Sequence, residues 1–493
     1  MDMIPLDRAA LARLHAPVQG PRFDPAAVRP GIVHLGLGGF HRAHMARYTH
    51  DLFDRRPDML GWGIVGGGLM PGDKRMAESL LPQDRLYTLV ERSGTDEIVT
   101  VIGSLADVIF AGESSAALLD AIDKPGIHIV SLTVTENGYC LNRSTKRLDL
   151  EHPLISHDLA HPGEPKSAIG IIVEACRRRR ASGAAPFTAM SCDNIQHNGE
   201  VLREAALTLA RATDPGLADW MEAEISFPST MVDRITPVTA EADVALLAER
   251  HGIVDAWPVF CETFTQWVIE DRFVAGRPAW EEVGAQFVAD VAPYEFMKLR
   301  LLNASHLAVA GLGRLAGYRT IDEAMAEPLM TRYMAALMDR ETGPTLKPVP
   351  GIDLSEYKAT LIERFANTAI KDTVERVNTD APLNILVDPI RDRLAANESV
   401  ELLALGLAAW LRRVRGEDEE GGPIDVRHPF AVLLREKAIE GGEDPAPLLG
   451  IGQLFGDTGT DPRLLEPVGR WLAMLYRQGS RATLAHAAES CGF

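Results

Sequence analysis

GIVHLGLGGFHRAH (residues 31–44) is the stretch on which the fold turns. Its first five residues are apolar and β-branched enough to read as a strand. Gly36, Gly38 and Gly39 follow directly, and RAHMARYTHDLF (42–53) resumes with helical spacing. A strand, a glycine turn and a helix in that order suit a dinucleotide phosphate. The glycines allow a tight turn and close backbone approach, and the helix then starts at the pyrophosphate. The third glycine of G-x-G-x-x-G would fall at position 41, which is His41. A purely structural turn is the competing reading. His41 and His44 open the helix, where packing or capping is favoured over binding a ligand.

Outward from this stretch, WGIVGGG (62–68), RLYTLVER (85–92), EIVTVIG (97–103), GIHIVSLT (126–133) and PFTAMSC (186–192) also read as strands. Helical stretches such as SAIGIIVEACRRRR (167–180) lie between several of them. Apolar strands alternating with helices imply a parallel sheet covered on both faces. After about residue 290 the strand signals fade, and five long segments carry helical spacing. The expected architecture is α/β: a Rossmann-type NAD-binding domain over 1–290, then a mostly α-helical substrate and catalytic domain over 291–493.

The second strand is followed by LMPGDKR, where the ribose would be read. Asp73 accepts from a 2′-hydroxyl and repels a 2′-phosphate, whereas Lys74 and Arg75 would attract that phosphate. NAD is the favoured cofactor. A turn or cap role is the alternative for Asp73.

Bulk properties exclude several classes. A formal net charge of −19 over 493 residues argues against a nucleic-acid partner. No long uncharged apolar run suggests a membrane span, and MDMIPLDRAALARLH does not read as a signal peptide. Five scattered cysteines without C-x-x-C indicate neither a disulfide framework nor a cysteine zinc site, and fit a reducing cytoplasm.

KLRLLNASH (298–306) poses a different problem. Its leucines predict a buried helix, yet it carries Lys298, Asn303 and His306. With Lys298 at zero on an α-helical wheel, Glu295 falls near about 60°, His306 near about 80° and Asn303 near about 140°. Four polar groups on one side of an apolar helix form either a satisfied network or a reaction site. For a site, burial makes a lysine a usable base near neutral pH. An amide steadies an alkoxide, and an imidazole bonds a neighbouring hydroxyl. With a nicotinamide as hydride acceptor, these groups oxidise a secondary alcohol without a metal. H-E-x-x-H is absent. Asn194, in SCDNIQHNG (191–199), follows a strand and is a candidate second oxyanion donor or a turn residue. Asp233 and Arg234 in FPSTMVDRITP (227–237) either line a polyol pocket or form a surface ion pair.

The stretches HLGLGGFHRAH, SLTVTENGYC, FTAMSCDNIQHNG, FPSTMVDRITP, QWVIEDRFVAGRPAWE and PYEFMKLRLLNASHL together resemble the polyol-specific long-chain dehydrogenase/reductase family. The resemblance runs over nearly the whole chain, and K-x4-N-x2-H is its most specific element. It implies a metal-independent NAD(H) enzyme, commonly monomeric, that interconverts a sugar alcohol and a ketose. Its siblings reduce fructuronate and tagaturonate. It further implies Lys298 as general base, Asn194 and Asn303 as oxyanion donors, and His306 as a substrate-positioning residue. Glu295 and Glu136 would line the route from base to solvent, and Asp233 and Arg376 would bind substrate hydroxyls. Gly36, Gly38, Gly39, Phe40, His41, Arg42 and Asp73 are the expected cofactor set.

One departure bears on the substrate. The family continues from the matched arginine to Asp-Gly-Ser-x-Lys, whose lysine reaches the substrate. RVNTDAPLN keeps Asp380, but has Ala381 and Pro382 for the Gly-Ser pair and Asn384 for the lysine. Phe296 and Thr263 depart from the family pattern more mildly. Loss of the cation disfavours a uronate and opens the choice of polyol to arabinitol or sorbitol. Fructuronate or tagaturonate reduction is the rival activity, and a catalytically inactive NAD-binding sensor the rival of another class.

Overall fold

The computed structural model describes residues 3–142 and 145–493, with every side chain among them except that of Asp380. The chain forms two compact units, 1–291 and 292–493.

In the first unit five strands form a parallel sheet: β1 (Pro30–Leu35), β2 (Gly63–Gly68), β3 (Leu105–Phe110), β4 (Ile129–Leu132) and β5 (Thr188–Ser191). Their spatial order is β3-β2-β1-β4-β5. That is the doubly wound order, and it places the reversal of strand order at β1. Side chains alternate across a strand. Val33 and Leu35 enter one apolar core with the helices Ala168–Ser182 and Asn198–Thr213, while Ile32 enters the other with Met45, Ala46 and Leu52. Both faces are therefore covered, which is why these strands read as unbroken apolar runs.

Two of the expected strands lie outside this sheet. Tyr87–Ser93 and Asp96–Ile102 pair antiparallel, and with Val259–Glu262 they form a separate three-stranded sheet. The cause is the two-residue connection Gly94–Thr95, where Gly94 takes a φ of 57°. So short a link reverses the chain and cannot make a parallel crossover. Conversely, LADVIF (105–110) carries a weak apolar pattern, because β3 is an edge strand and half covered. A third sheet joins Gln266–Glu270 to Thr230–Asp233 and Gln286–Val288.

The second unit is helical throughout its regular structure. Its central helix, Ala304–Leu315, packs on Glu401–Arg413 through glycines. A Cβ at Gly406 would stand 3.0 Å from Ala308 Cβ, and one at Gly311 would stand 3.5 Å from Ala409 Cβ. Before it the chain is not α-helical throughout. Ala292–Met297 is α-helix, but Lys298–Asn303 is a π-helical turn. Among the described residues no helix is long and apolar enough to cross a membrane.

Candidate active site

The glycine turn at the C-terminal end of β1 is built from behind by buried polar groups. Gly36 takes a φ of 92°, and a Cβ there would lie 2.2 Å from the Thr133 carbonyl oxygen, so only glycine fits. Thr133 Oγ1 donates to the Gly36 carbonyl (2.9 Å). His34 holds Thr133 Oγ1 and Ser131 Oγ, each at 2.8 Å. Burial pushes the His34 pKa down to about 3, so the ring is neutral. His41 stacks on it with centroids 3.5 Å apart. Burial first, then His34, His44 and Arg42, hold the His41 pKa well below the usual histidine range. Arg42 is 1% exposed, donates to the Trp257 carbonyl and lies 5.2 Å from the Tyr87 ring. Of the expected cofactor set, His41 and Arg42 thus face inward and shape the turn. Gly38, Gly39 and Phe40 remain at its surface.

The turn fits a dinucleotide. A Cβ on Gly38 or Gly39 would meet nothing nearer than 3.9 Å, so the space above both is clear. The atom at that distance from Gly39 is Thr236 Cγ2, and the Thr236 hydroxyl is buried without a partner among the described residues. Ile235 and the chain on either side are held in place by neighbours. Arg234 donates to the Ala43 and Glu262 carbonyls and pairs with Glu91, and Glu262 Oε1 accepts from Ile235 N (2.6 Å). Arg234 is therefore neither a pocket residue nor a surface ion pair but an interior staple. Asp233, also buried, ends its strand just before it.

Beyond β2, Asp73 Oδ2 accepts from Leu69 N and Met70 N, both at 2.9 Å. The carboxylate is thereby fixed against the strand end, where a Cβ on Gly68 would lie 2.7 Å from Asp73 Cβ. The two neighbouring cations are engaged elsewhere. Lys74 is 3.7 Å from Glu113, and Arg75 stacks 4.8 Å from the Trp257 ring centre. Asp73 thus serves the turn and still carries the charge that disfavours a 2′-phosphate.

The chain leaves β4 and β5 at the same edge of the sheet. Glu136 lies exposed in the single turn Thr135–Gly138 after β4, and Asn194 lies exposed in the loop after β5. Asp193, 6% exposed, accepts from Thr135 N (2.7 Å), Val134 N (3.1 Å) and Tyr139 Oη (2.9 Å). Asp193 carries no signal in the local sequence, because its backbone partners stand 58 and 59 positions away.

In the second unit Glu295, Lys298 and His306 are buried, and Asn303 is partly so. The π turn changes their relation. The Ala304 amide donates to the Leu299 carbonyl, five residues back. Residues five apart are then joined by one turn, which closes most of the angle that an α-helix sets between Lys298 and Asn303. Arg300 is drawn away to Asp392 (2.6 Å). His306 Nε2 lies 3.5 Å from Asp372 Oδ2, and its ring packs 4.4 Å from that of Phe365. Arg376 clasps the same carboxylate through Nε (2.6 Å) and Nη2. The structure so brings His306 and Arg376 together on Asp372, a residue the sequence signals only by its i,i+4 spacing to Arg376. Asn384 is not brought there. It is exposed at the start of the helix Asn384–Ala395, and its amide donates to Asp388 (3.3 Å). The Asp380 side chain lies outside the described residues. Among the described residues no group of three His, Cys, Asp or Glu side chains is placed to hold a metal ion.

Residues 30–282 match the family model of the mannitol dehydrogenase Rossmann domain, and residues 290–475 that of the mannitol dehydrogenase C-terminal domain. The D-mannonate oxidoreductase of Escherichia coli K12 is 44% identical, over 90% of this chain and 92% of that protein. A mannitol 2-dehydrogenase of Aspergillus fumigatus is 42% identical, over 93% of each. Among solved structures, the ternary complex of Pseudomonas fluorescens mannitol 2-dehydrogenase with NAD and D-mannitol aligns at a TM-score of 0.89. Identity there is 44%, covering 99% of this chain and 100% of that one. A substrate-free D-sorbitol dehydrogenase aligns at 0.88 with 35% identity, over 97% and 100%.

Proposed function

The chain belongs to the mannitol dehydrogenase family, an NAD-dependent oxidoreductase acting on a CH–OH group, and we propose that it interconverts a neutral sugar alcohol and its 2-ketose. The observation that carries this reading is the π turn that presents Lys298 and Asn303 from one buried helix, with His306 one α-turn further on.

In the oxidative direction Lys298 Nζ, in its neutral form, takes the proton of the reacting hydroxyl. Asn303 and Asn194 donate amide N–H groups to the oxygen as charge develops on it; neither titrates, so both serve at any pH. NAD, when bound, supplies the two-electron acceptor for the hydride leaving the carbinol carbon. His306, oriented by Asp372, positions a neighbouring hydroxyl, and Asp233 and Arg376 bind others. Glu295 and Glu136 pass the proton from Lys298 toward solvent. Gly36, Gly38, Gly39, Phe40, Thr236 and Asp73 hold the cofactor.

Asn384 supports a neutral substrate. The position that would carry a lysine holds an amide turned onto its own helix, and Arg376 is already clasped by Asp372. A sugar acid is the second reading, favoured by the 44% identity to a D-mannonate oxidoreductase. NADH oxidation with fructose, ribulose, xylulose, sorbose, tagatose and fructuronate distinguishes the two. The expected result is turnover on a neutral ketose. Turnover on fructuronate alone establishes the second reading, and no turnover on any overturns both. In the reverse assay, with NAD and the matching alcohol, Lys298→Ala removes most alcohol oxidation near neutral pH while NADH still binds. Full-rate oxidation in that variant rules out Lys298 as the base.

A further inference from the structure

Asn194 and Glu136 lie on different segments, one in the loop after β5 and one in the turn Thr135–Gly138 after β4. What joins them is a single carboxylate. Val134 and Thr135 lie just beyond the β4 ladder, where backbone amides lose their strand partners. Asp193 Oδ2 takes the Val134 amide, and Oδ1 takes that of Thr135. Thr135 has a φ of 61°, which a β-branched residue adopts only when its surroundings hold it there. Tyr139, at the far end of the Glu136 turn, donates its hydroxyl to Oδ2 and lies 2.6 Å from Ser191 Oγ on β5. From the other side, Asn198 fixes the Asp193 backbone. Its Nδ2 donates to the Asp193 carbonyl (2.9 Å) and the Thr230 carbonyl (2.8 Å), and its Oδ1 accepts from Thr230 N (2.9 Å).

We propose that Asp193 is a positioning residue that fixes Asn194, its chain neighbour, and Glu136 at one edge of the sheet. The inference rests on the reading of Asn194 as an oxyanion donor. An ionised carboxylate accepts all three bonds. An amide must turn its NH2 group toward the Val134 or the Thr135 N–H, and one bond is lost. Burial lifts the Asp193 pKa to about 6, with Glu136 adding to the rise and the three accepted hydrogen bonds opposing it. Burial pushes the Tyr139 pKa well above its usual value, so its hydroxyl stays protonated.

The test uses the full-length protein, with kcat for ketose reduction against pH and NADH affinity by fluorescence titration. Asp193→Asn is expected to lower kcat by about 30-fold, of the size of a displaced oxyanion donor, with NADH affinity unchanged. Asn194→Ala added to Asp193→Asn costs little more than Asn194→Ala alone, since both remove one function. Tyr139→Phe removes one bond and keeps the ring, so it remains informative if Asp193→Asn does not fold; about a 3-fold loss is expected. Wild-type kcat in Asp193→Asn or in Tyr139→Phe overturns the proposal. So does equal loss of NADH affinity, or effects of Asp193→Asn and Asn194→Ala that multiply. Wild-type turnover in Asn194→Ala overturns the oxyanion reading and this inference with it. An inactive Asn194→Ala beside a fully active Asp193→Asn overturns this inference alone.

Discussion

The amide of Ala304 bonds the carbonyl of Leu299, five residues back rather than four. One extra residue is thereby held inside the helix that runs from Ala292 to Leu315, at the point where Lys298 and Asn303 leave it. π-bulges are uncommon and concentrate at functional sites, because they re-aim side chains without breaking the helix.

Removing the bulge is therefore a direct test. Leu299 is the least buried leucine in Lys298–Asn303, so its deletion restores α-helical register at small cost to the core. The variant is expected to keep its helical circular dichroism and to lose about 100-fold or more in kcat, as misplacement by about 1 Å does elsewhere. Unchanged kcat would show that the bulge does not set the geometry of Lys298 and Asn303.

Asp372 holds both His306 and Arg376, two groups assigned to substrate hydroxyls. Asp372→Asn keeps the shape and removes the charge. The expected outcome is a KM for the ketose raised about 10-fold, or about 1.4 kcal/mol, with NADH affinity intact. Steady-state kinetics and a binding titration decide it; a change confined to NADH affinity would place Asp372 in another role.

Thr236 carries a buried hydroxyl with no partner among the described residues, beside the open space over Gly39. A cofactor phosphate or ribose oxygen would satisfy it. Thr236→Val, of the same size, should weaken ADP-ribose and NADH by about 10-fold in calorimetric titration, the value of one lost hydrogen bond to a charged group. Unaltered affinity for both would leave the hydroxyl without a cofactor role.

Glu341 gives a prediction about stability. Its two oxygens accept from Leu402 N (2.9 Å) and Leu403 N (2.8 Å) at the start of the helix Glu401–Arg413. Burial, aided by Glu401, raises its pKa to about 7. The folded chain then keeps a proton that the unfolded chain releases, so stability from this group falls as pH rises from about 4.5 through about 7. The whole change is roughly 3 kcal/mol. Glu341→Gln does not titrate. Denaturation midpoints should show the wild type losing ground to the variant between about pH 4.5 and about pH 8. A gap that does not move with pH would contradict the shift.

Much of the fold is legible in local pattern. The apolar runs of β1, β2, β4 and β5, the glycine turn and the helical second half all follow from spacing, because strand alternation and helical periodicity depend on residues a few positions apart. The hairpin Tyr87–Ile102 departs from the expected parallel sheet because the short link Gly94–Thr95, not the strands themselves, sets its direction. β3 is faint because an edge strand needs only half an apolar pattern. The polar residues of KLRLLNASH stand out as an anomaly for the same local reason: their burial is implied by the leucines around them.

What sequence alone determined, then, is which elements form and which chemical groups they carry. The tertiary structure decided how those groups are held. The π turn, closed by the Ala304 amide on the Leu299 carbonyl with Leu301 and Leu302 buried inside it, does not follow from the spacing of Lys298 and Asn303. Asp193 meets Val134 and Thr135, and His306 meets Asp372, between stretches far apart in the chain. Such pairings depend on which strands and helices become neighbours, and no local pattern encodes that.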